Sequence, residues 1–425
     1  MQKKIIALAV AGAIGSIAAG SAFADGTTMY GRLDLGYENR GNSSGLVTGA
    51  TGTSLASKGE IASGIEAGSR IGIKGNEDLG DGNKAIYEVE FGIALDAPSY
   101  TSAGVTANNQ SSQAYLTNRH SYVGMTGGWG TAVGGRLDGV RYGLYQKFDA
   151  FGAGGMGNIT QLTAQYDRAD NAVAYISPSF NDFVLTLAYS TNTGGVEGNV
   201  GAANGSINSA GAITNASGGK NTNTGAPGGT ATRVGNMGDD VLGTIMLGYD
   251  QGPISANLDY ETTFQKGYQN STLHTIVVGG SYDFGVAKVS AMYDTLQGDP
   301  CSNIGGYGGN AACNAAGVTG GKYDKSLWLL SAKAPLTSAL VLKASYGKLN
   351  DNGTVKVTGA SNTNMGASKF GLGIDYNLSK RTNFYADYGK INNDNGAGYS
   401  ISPAANAGGT GYGTSGIDFG IAHKF

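Results

Sequence analysis

The sequence is poor in charged residues, in prolines and in long apolar runs. Charged side chains make up 14% of its 425 residues, whereas soluble globular proteins carry about 25%. A charged surface therefore does not keep this chain dispersed. Only 7 residues are prolines, which makes a proline-rich disordered chain a poor fit. No apolar run after residue 24 reaches the length of about 20 residues that a membrane-spanning helix needs, so any membrane role must use strands.

Groups for catalysis and metal binding are also scarce. The three histidines, His120, His274 and His423, lie far apart and lack the spacing of metal ligands. The run at 411–416 has the glycine spacing of a dinucleotide-binding turn, but that turn must be followed by a helix, and the remaining residues alternate like a strand. We therefore predict no catalytic residue, no metal site and no cofactor.

The first 24 residues form a separate segment. Lys3 and Lys4 precede an apolar run at 5–19, and small residues at positions 22 and 24 fit the rule for signal-peptidase cleavage. We predict that 1–24 is a signal peptide and that 25–425 is one exported domain.

Export sets expectations for the charge and the cysteines of the mature chain. Removing Lys3 and Lys4 leaves 26 basic and 31 acidic residues, a net charge of −5. This balance argues against nucleic acid as a partner. The sequence has two cysteines, Cys301 and Cys313, and in an oxidising compartment we expect this close pair to form a disulfide.

Alternation of apolar and polar residues recurs from one end of the mature chain to the other. At 29–37, for example, Met29, Leu33 and Leu35 alternate with Arg32 and Asp34. This period of two is typical of a strand with one apolar face. The 74 glycines are typical of turns, and the 24 tyrosines are typical of the ends of such strands. The fold class is predicted to be all-β.

The connections between the strands are alternately short and long. Short turns lie at 76–83 and 127–130, and long segments at 39–63, 96–113 and 138–163. Between them we count 16 strands of roughly ten residues, the length that a tilted strand needs to cross a bilayer. The polar faces of these strands are crowded with charge, which favours water inside a barrel. The apolar faces end in aromatic residues, which favours lipid outside it. The prediction is a 16-stranded antiparallel transmembrane β-barrel with an aqueous lumen.

The segment at 138–163 differs from the other long connections, because its first half mixes aromatic and charged residues. If this segment folded into the lumen, it would narrow the barrel and place its charges opposite those of the wall. Pores sort solutes by such a charged constriction. Arg136 is assigned to the wall because Val133 and Leu137 take the apolar positions of its strand. The alternative is an external loop with ordinary surface charges. The candidate residues are Arg32, Arg70, Lys74 and Arg136 on the wall, Arg141, Lys147 and Asp149 on the loop, and Asp34, Glu88 and Glu90 as opposing lumen acids.

Several stretches resemble general porins of the Gram-negative outer membrane, of the betaproteobacterial and neisserial type. The matching stretches are MYGRLDLGYE at 29–38, SRIGIKGNEDLGDGNKAIYEVE at 69–90, NRHSYVGMTGGWGTAVGGRLDGVRYGLYQKFDAFG at 118–152, RADNAVAYISPSF at 168–180, YNLSKRTNFYADY at 376–388 and the terminal GIAHKF. The resemblance covers the whole mature chain. Two positions depart from the family pattern: Ala422 stands where an arginine is usual, and Leu137 where a glutamine is common.

The resemblance implies a homotrimer of open barrels in which the third long loop folds inward as the constriction. It also implies outer-membrane lipid and lipopolysaccharide as surroundings, and an assembly machinery that reads the last strand, ending at Phe425. The expected function is passive diffusion of ions and small hydrophilic solutes. The alternatives are a secreted glycine-rich adhesin or surface hydrolase, and a substrate-specific outer-membrane channel.

Overall fold

The computed structural model describes most of the chain outside the long connections. The predicted signal peptide at 1–24 lies outside the described residues, as do Cys301 and Cys313, so the domain boundary and the disulfide stay predictions. The described residues are 26–41, 58–96, 116–163, 165–193, 205–207, 213–215, 240–265, 271–299, 318–354, 356–357, 366–394, 399, 401 and 413–425.

Strands account for most of these residues, as the alternating pattern predicts. The described residues also contain one short α-helix, α1 (Val140–Phe148), and one 3-10 turn at Thr160–Leu162. None of the helices among the described residues is long and apolar enough to span a bilayer. The strands are β1 (Thr28–Arg40), β2 (Lys58–Ser63), β3 (Arg70–Gly80), β4 (Asn83–Ile93), β5 (Leu116–Gly127), β6 (Gly130–Asp138), β7 (Arg168–Ile176), β8 (Phe183–Ser190), β9 (Gly205–Ile207), β10 (Ile213–Asn215), β11 (Asp240–Gln251), β12 (Ile254–Gln265), β13 (Ser271–Asp283), β14 (Lys288–Gly298), β15 (Val318–Gly320), β16 (Tyr323–Pro335), β17 (Leu340–Asp351), β18 (Lys356–Val357), β19 (Ala367–Asn377), β20 (Thr382–Asn393) and β21 (Ser415–Lys424).

Seventeen of these segments form one sheet that closes on itself. β2 and β3 pair with successive halves of β1 and so share one position, which leaves sixteen positions around the sheet. The first and last strands pair antiparallel, from Arg32 opposite Lys424 to Arg40 opposite Gly416. This closure leaves no open edge, and the prediction of a 16-stranded antiparallel barrel is confirmed.

The two faces of the barrel wall differ as the alternation predicts. On β13, Ile276 and Val278 are about half exposed, whereas Thr275 and Val277 are almost fully buried. Large exposed apolar side chains recur on the outer face of nearly every strand, while buried charged and hydroxyl side chains lie on the opposite face. The apolar outer face suits contact with a lipid bilayer, and the polar inner face suits a water-filled lumen.

Aromatic side chains cluster where the barrel strands meet the short turns. Trp129 and Tyr175 stack with ring centroids 6.4 Å apart, and Tyr282 and Phe284 lie 4.6 Å apart. Such rings, apolar with a polar edge, suit the boundary between lipid and water. The short turns therefore lie at one membrane interface.

Candidate functional site: the barrel interior and the segment at 139–163

The segment between β6 and β7 begins with helix α1, which packs against charged groups of the barrel wall. Arg141 on the helix is 1% exposed and pairs with Asp294 of β14, with its Nη2 2.5 Å and its Nε 3.1 Å from Oδ2. Tyr145 also donates a hydrogen bond to Asp294. A guanidinium that makes several hydrogen bonds to one carboxylate fixes both position and orientation. The helix is therefore held against β14.

Beyond the helix, the chain lies on glycines of the inner face. Phe148 packs on Gly279 of β13, where a Cβ would come 2.5 Å from the ring. Gly157 lies on Gly371 of β19, where a Cβ would come 2.6 Å from the Gly157 Cα. Close approach of two backbones requires a residue without a side chain. The wall glycines therefore leave room for this segment.

Hydrogen bonds to the wall continue along the second half of the segment. The Met156 N–H donates to Asp418 of β21 at 2.6 Å, and the Ser345 hydroxyl of β17 donates to the Gly157 carbonyl at 2.8 Å. These contacts, with those of Arg141 and Phe148 of helix α1, spread over strands from β13 to β21. They all involve the buried, polar face of the strands.

The tip of the segment reaches the break between β2 and β3. The Gly155 N–H donates to the Ile65 carbonyl at 2.7 Å. The next residue, Glu66, pairs with Arg32 of β1 and accepts a hydrogen bond from Asn383 at 3.2 Å. The segment is thus joined to the wall beside Arg32.

A row of three cations crosses adjacent strands at this place. Arg32 of β1 lies directly opposite Lys424 of β21 on one side and Arg70 of β3 on the other. Like charges directly opposite in a sheet are destabilising, so the row is not explained by strand pairing. Arg119 of β5 joins it through Glu90, which accepts from its Nε at 2.6 Å and lies 3.6 Å from the Arg70 Nε. We call Lys424, Arg32, Arg70 and Arg119 the cation row.

The candidate acids Glu88 and Glu90 do not face the cation row from across the lumen. They are 1% and 3% exposed, lie on β4 next to it, and are held by hydrogen bonds from the same wall. Tyr122 donates to Glu88 at 2.8 Å, and Tyr30 donates to both carboxylates. The His120 Nε2 lies 3.1 Å from Glu88. These carboxylates are therefore part of the wall rather than exposed to the lumen.

Asp34 is fully buried and is satisfied locally. It accepts a hydrogen bond from the Tyr385 hydroxyl at 2.7 Å and one from the Ala67 N–H at 2.8 Å. Ala422, the position where an arginine is usual in the resembling family, lies directly opposite Asp34 in the sheet. The tyrosine and the backbone therefore satisfy a carboxylate that has no arginine opposite it in this chain.

Asp149 is a structural residue of the segment rather than a charge that faces the cation row. It is 2% exposed and accepts hydrogen bonds from the N–H groups of Phe151 and Ile159 at 3.0 and 2.8 Å. Burial raises the pKa of this carboxyl, and the two N–H donors oppose the shift. Asp149 thus ties the two halves of the segment together.

The remaining candidates, Lys147, Lys74 and Arg136, are separated from one another. Lys147 pairs with Asp250 of β11 at 3.0 Å, and burial lowers the pKa of its amine. Lys74 lies opposite Glu88, with its Nζ 4.8 Å from the centre of the Tyr30 ring.

Arg136 does not have the inward position that its alternation with Val133 and Leu137 predicts. Both apolar residues are buried in an apolar cluster on the inner side instead of facing lipid. The assumption that they take the lipid-facing positions of β6 was wrong. The Arg136 side chain pairs with Asp170 of β7, and its Nε donates a hydrogen bond to the Arg119 carbonyl at 2.8 Å.

Arg119, Glu66 and Lys424 were missed by sequence reasoning. Arg119 lies within a register shift, where β5 has one residue more than β4, so the alternation of its strand does not give its side. Glu66 lies in the break between two strands, where no period can be read. Lys424 could have been found, because it continues the inward positions of the last strand.

A closed barrel of this kind, apolar outside and charged inside, defines a β-barrel channel of a membrane. The comparison with protein families agrees, since the model of the Gram-negative porin family matches residues 7–396. The chain belongs to this family. It is an outer membrane porin that lets small solutes diffuse passively.

Curated relatives and solved structures are consistent with this assignment. An outer membrane porin protein of Bordetella pertussis is 26% identical over 91% of this chain and 93% of its own length. Outer membrane porin protein 32 of Delftia acidovorans is 26% identical over the whole of both chains. An anion-selective porin from Comamonas acidovorans superposes with a TM-score of 0.63 at 22% identity, covering 94% of this chain and 99% of that one. A trimer form of OmpT of Vibrio cholerae superposes with a TM-score of 0.55 at 14% identity, covering 94% of this chain and 99% of that one.

Proposed function

We propose that the segment at 138–163 folds into the lumen as the constriction of the pore, and that the pore prefers anions. The contacts of the segment support the first part. They lie on the inner faces of strands from β11 to β21 and at the β2–β3 break. The space left for solutes then lies between the segment and the wall that bears the cation row.

The preference for anions follows from which charges stay accessible. The side chains of Arg70 and Arg119 are 26% and 19% exposed, whereas that of their shared partner Glu90 is 4% exposed. Lys424 is exposed as well. A passing solute would meet guanidinium and ammonium groups, with the carboxylates behind them. In a narrow pore such fixed charges act within a Debye length of about 8 Å at physiological salt.

The assembled state is proposed to be a homotrimer in the outer membrane, reached after removal of residues 1–24. Solved porins include a trimer form, and a barrel with a continuous apolar outer face suits both lipid and a second copy. We further propose lipopolysaccharide as the outer surrounding and the C-terminal strand, ending at Phe425, as the signal for the assembly machinery. The chain is proposed to have no enzymatic activity.

Purified protein in planar bilayers and in liposomes tests the pore. We expect stepwise conductance in groups of three and swelling of liposomes in small sugars but not in large oligosaccharides. A soluble protein without conductance would favour the secreted adhesin or hydrolase. Saturation of conductance by one sugar at low concentration would favour a substrate-specific channel.

A further inference from the structure

Two carboxylates on the inner face of β12 lack the partners that buried charges need. Asp259 and Glu261 lie two residues apart, on the same face, and are 0% and 1% exposed. Among the described residues, no group hydrogen-bonds to either carboxylate oxygen of Asp259 or to Oε1 of Glu261. A buried carboxylate without a partner is strongly unfavourable.

The nearby cation, Arg141, is already engaged elsewhere. Its Nε lies 3.1 and 3.2 Å from the two oxygens of Asp294, and its Nη2 donates to Asp294 at 2.5 Å and to Thr163 at 3.0 Å. Among the described residues, Arg141 is also the one cation whose charge attracts Asp259 and Glu261. Its single positive charge is therefore opposed by three carboxylates, those of Asp259, Glu261 and Asp294. When all three carboxylates are ionised, these four side chains together have an excess of two negative charges.

The surrounding side chains add oxygen atoms of the same kind. Thr275 of β13 and Thr244 of β11 lie directly opposite Glu261 on its two sides. The hydroxyls of Thr263 and Thr275 are buried and have no hydrogen-bond partner among the described residues. Carboxylate and hydroxyl oxygens, without nitrogen or sulfur, are the ligands of hard cations.

We propose that β12 and helix α1 enclose a calcium site in which Asp259 and Glu261 are the charged ligands and the threonine hydroxyls and water complete the shell. One divalent cation balances the two excess charges. Calcium is favoured over magnesium because it accepts irregular shells of 6–8 oxygens, whereas magnesium demands near-ideal octahedra. The ion links the wall at β12 to the helix through the Arg141–Asp294 pair.

Calcium uptake by the folded, detergent-solubilised protein tests the site. Protein stripped with a chelator is dialysed against radioactive calcium, and the double variant Asp259→Asn with Glu261→Gln is compared with wild type. We expect wild type to bind one more calcium per chain than the double variant. The matched control is Asp182→Asn, an exposed acid on the turn after β7, which should bind as wild type does.

Wild type alone supplies a second test that needs no folded variant. Calcium should slow proteolytic cleavage within 139–163 in the wild-type protein, and the chelator should reverse the effect. Equal calcium uptake by wild type and the double variant, or cleavage that does not respond to calcium, would overturn the proposal. Bilayer conductance is measured on the same samples, so that failure of the calcium site is distinguished from failure of the pore.

Discussion

Gly31 and Phe425 exchange two backbone hydrogen bonds, each 3.1 Å long, at the place where the last residue of the chain meets the first strand. The Phe425 ring covers Gly31, where a Cβ would overlap the ring and come 2.7 Å from the Arg70 carbonyl oxygen. The end of the chain thus closes the barrel next to Arg70 of the cation row.

Substitution at this junction should impair closure. Gly31→Val forces Phe425 away and removes two bonds of the β1–β21 ladder, so we expect less heat-modifiable, folded barrel on semi-native gels. Deletion of Phe425 should act in the same direction. Gly128→Ala is the control, because a Cβ at Gly128 meets no atom within 4 Å. Equal yields for Gly31→Val and the control would contradict this account of closure.

A side chain at Gly389 should displace the segment at 139–163 from the wall. A Cβ there would lie 2.8 Å from the Met156 carbonyl carbon, so Gly389→Val is expected to lift the segment and raise single-channel conductance. Gly280→Val is the matched control, because the nearest atom to its Cβ is 3.5 Å away. Unchanged conductance and solute size limit in a folded Gly389→Val pore would show that the segment does not narrow it.

The Arg141–Asp294 pair should anchor helix α1. Arg141→Met leaves a buried carboxylate with Tyr145 as its remaining partner, and losing one member of a buried pair costs about 3–5 kcal/mol. We expect faster cleavage by trypsin within 139–163 and noisier current. Adding Asp294→Leu should restore much of the protection, because it removes the orphaned charge. A double variant as labile as Arg141→Met would refute the pairing argument.

The disulfide between Cys301 and Cys313 can be tested although both residues lie outside the described part of the chain. Its loop is short, for which the chain-entropy model gives roughly 3 kcal/mol, and the barrel already anchors both ends. Reduction should therefore barely change the melting of the folded protein. Mass spectrometry that finds two free thiols in oxidised membranes would show that the bond is absent.

Much of the fold could be read from the sequence, because a wall between water and lipid imposes a period of two on every strand. The pairing of β1 with β21 and the all-β class follow from that period. It fails where the inner face carries apolar residues and where the register shifts. In β6, apolar Val133 and Leu137 lie on the inner side, and near Arg119 the strand β5 has one residue more than β4. No local pattern shows either feature.

The candidate site could be predicted only in part. Arg32 and Arg70 were placed on one wall by their alternation, and the structure sets them directly opposite each other. The partners of Arg141 and Asp149 depend on how the segment folds back. Asp294 is 153 residues from Arg141, and Asp149 accepts a hydrogen bond from a backbone N–H of its own segment. Contacts so distant in sequence leave no periodic signal.

The reversal potential across a planar bilayer, with potassium chloride more concentrated on one side, tests the central claim most directly. Wild-type pores should reverse near the equilibrium potential of chloride, and Arg70→Glu should move the value toward that of potassium. Lys380→Glu, on an exposed turn, should leave it almost unchanged. The effect of Arg70→Glu should shrink at 1 M salt, where the Debye length falls to about 3 Å. A wild-type reversal toward potassium, or an equal shift from Lys380→Glu, would contradict a pore controlled by the cation row.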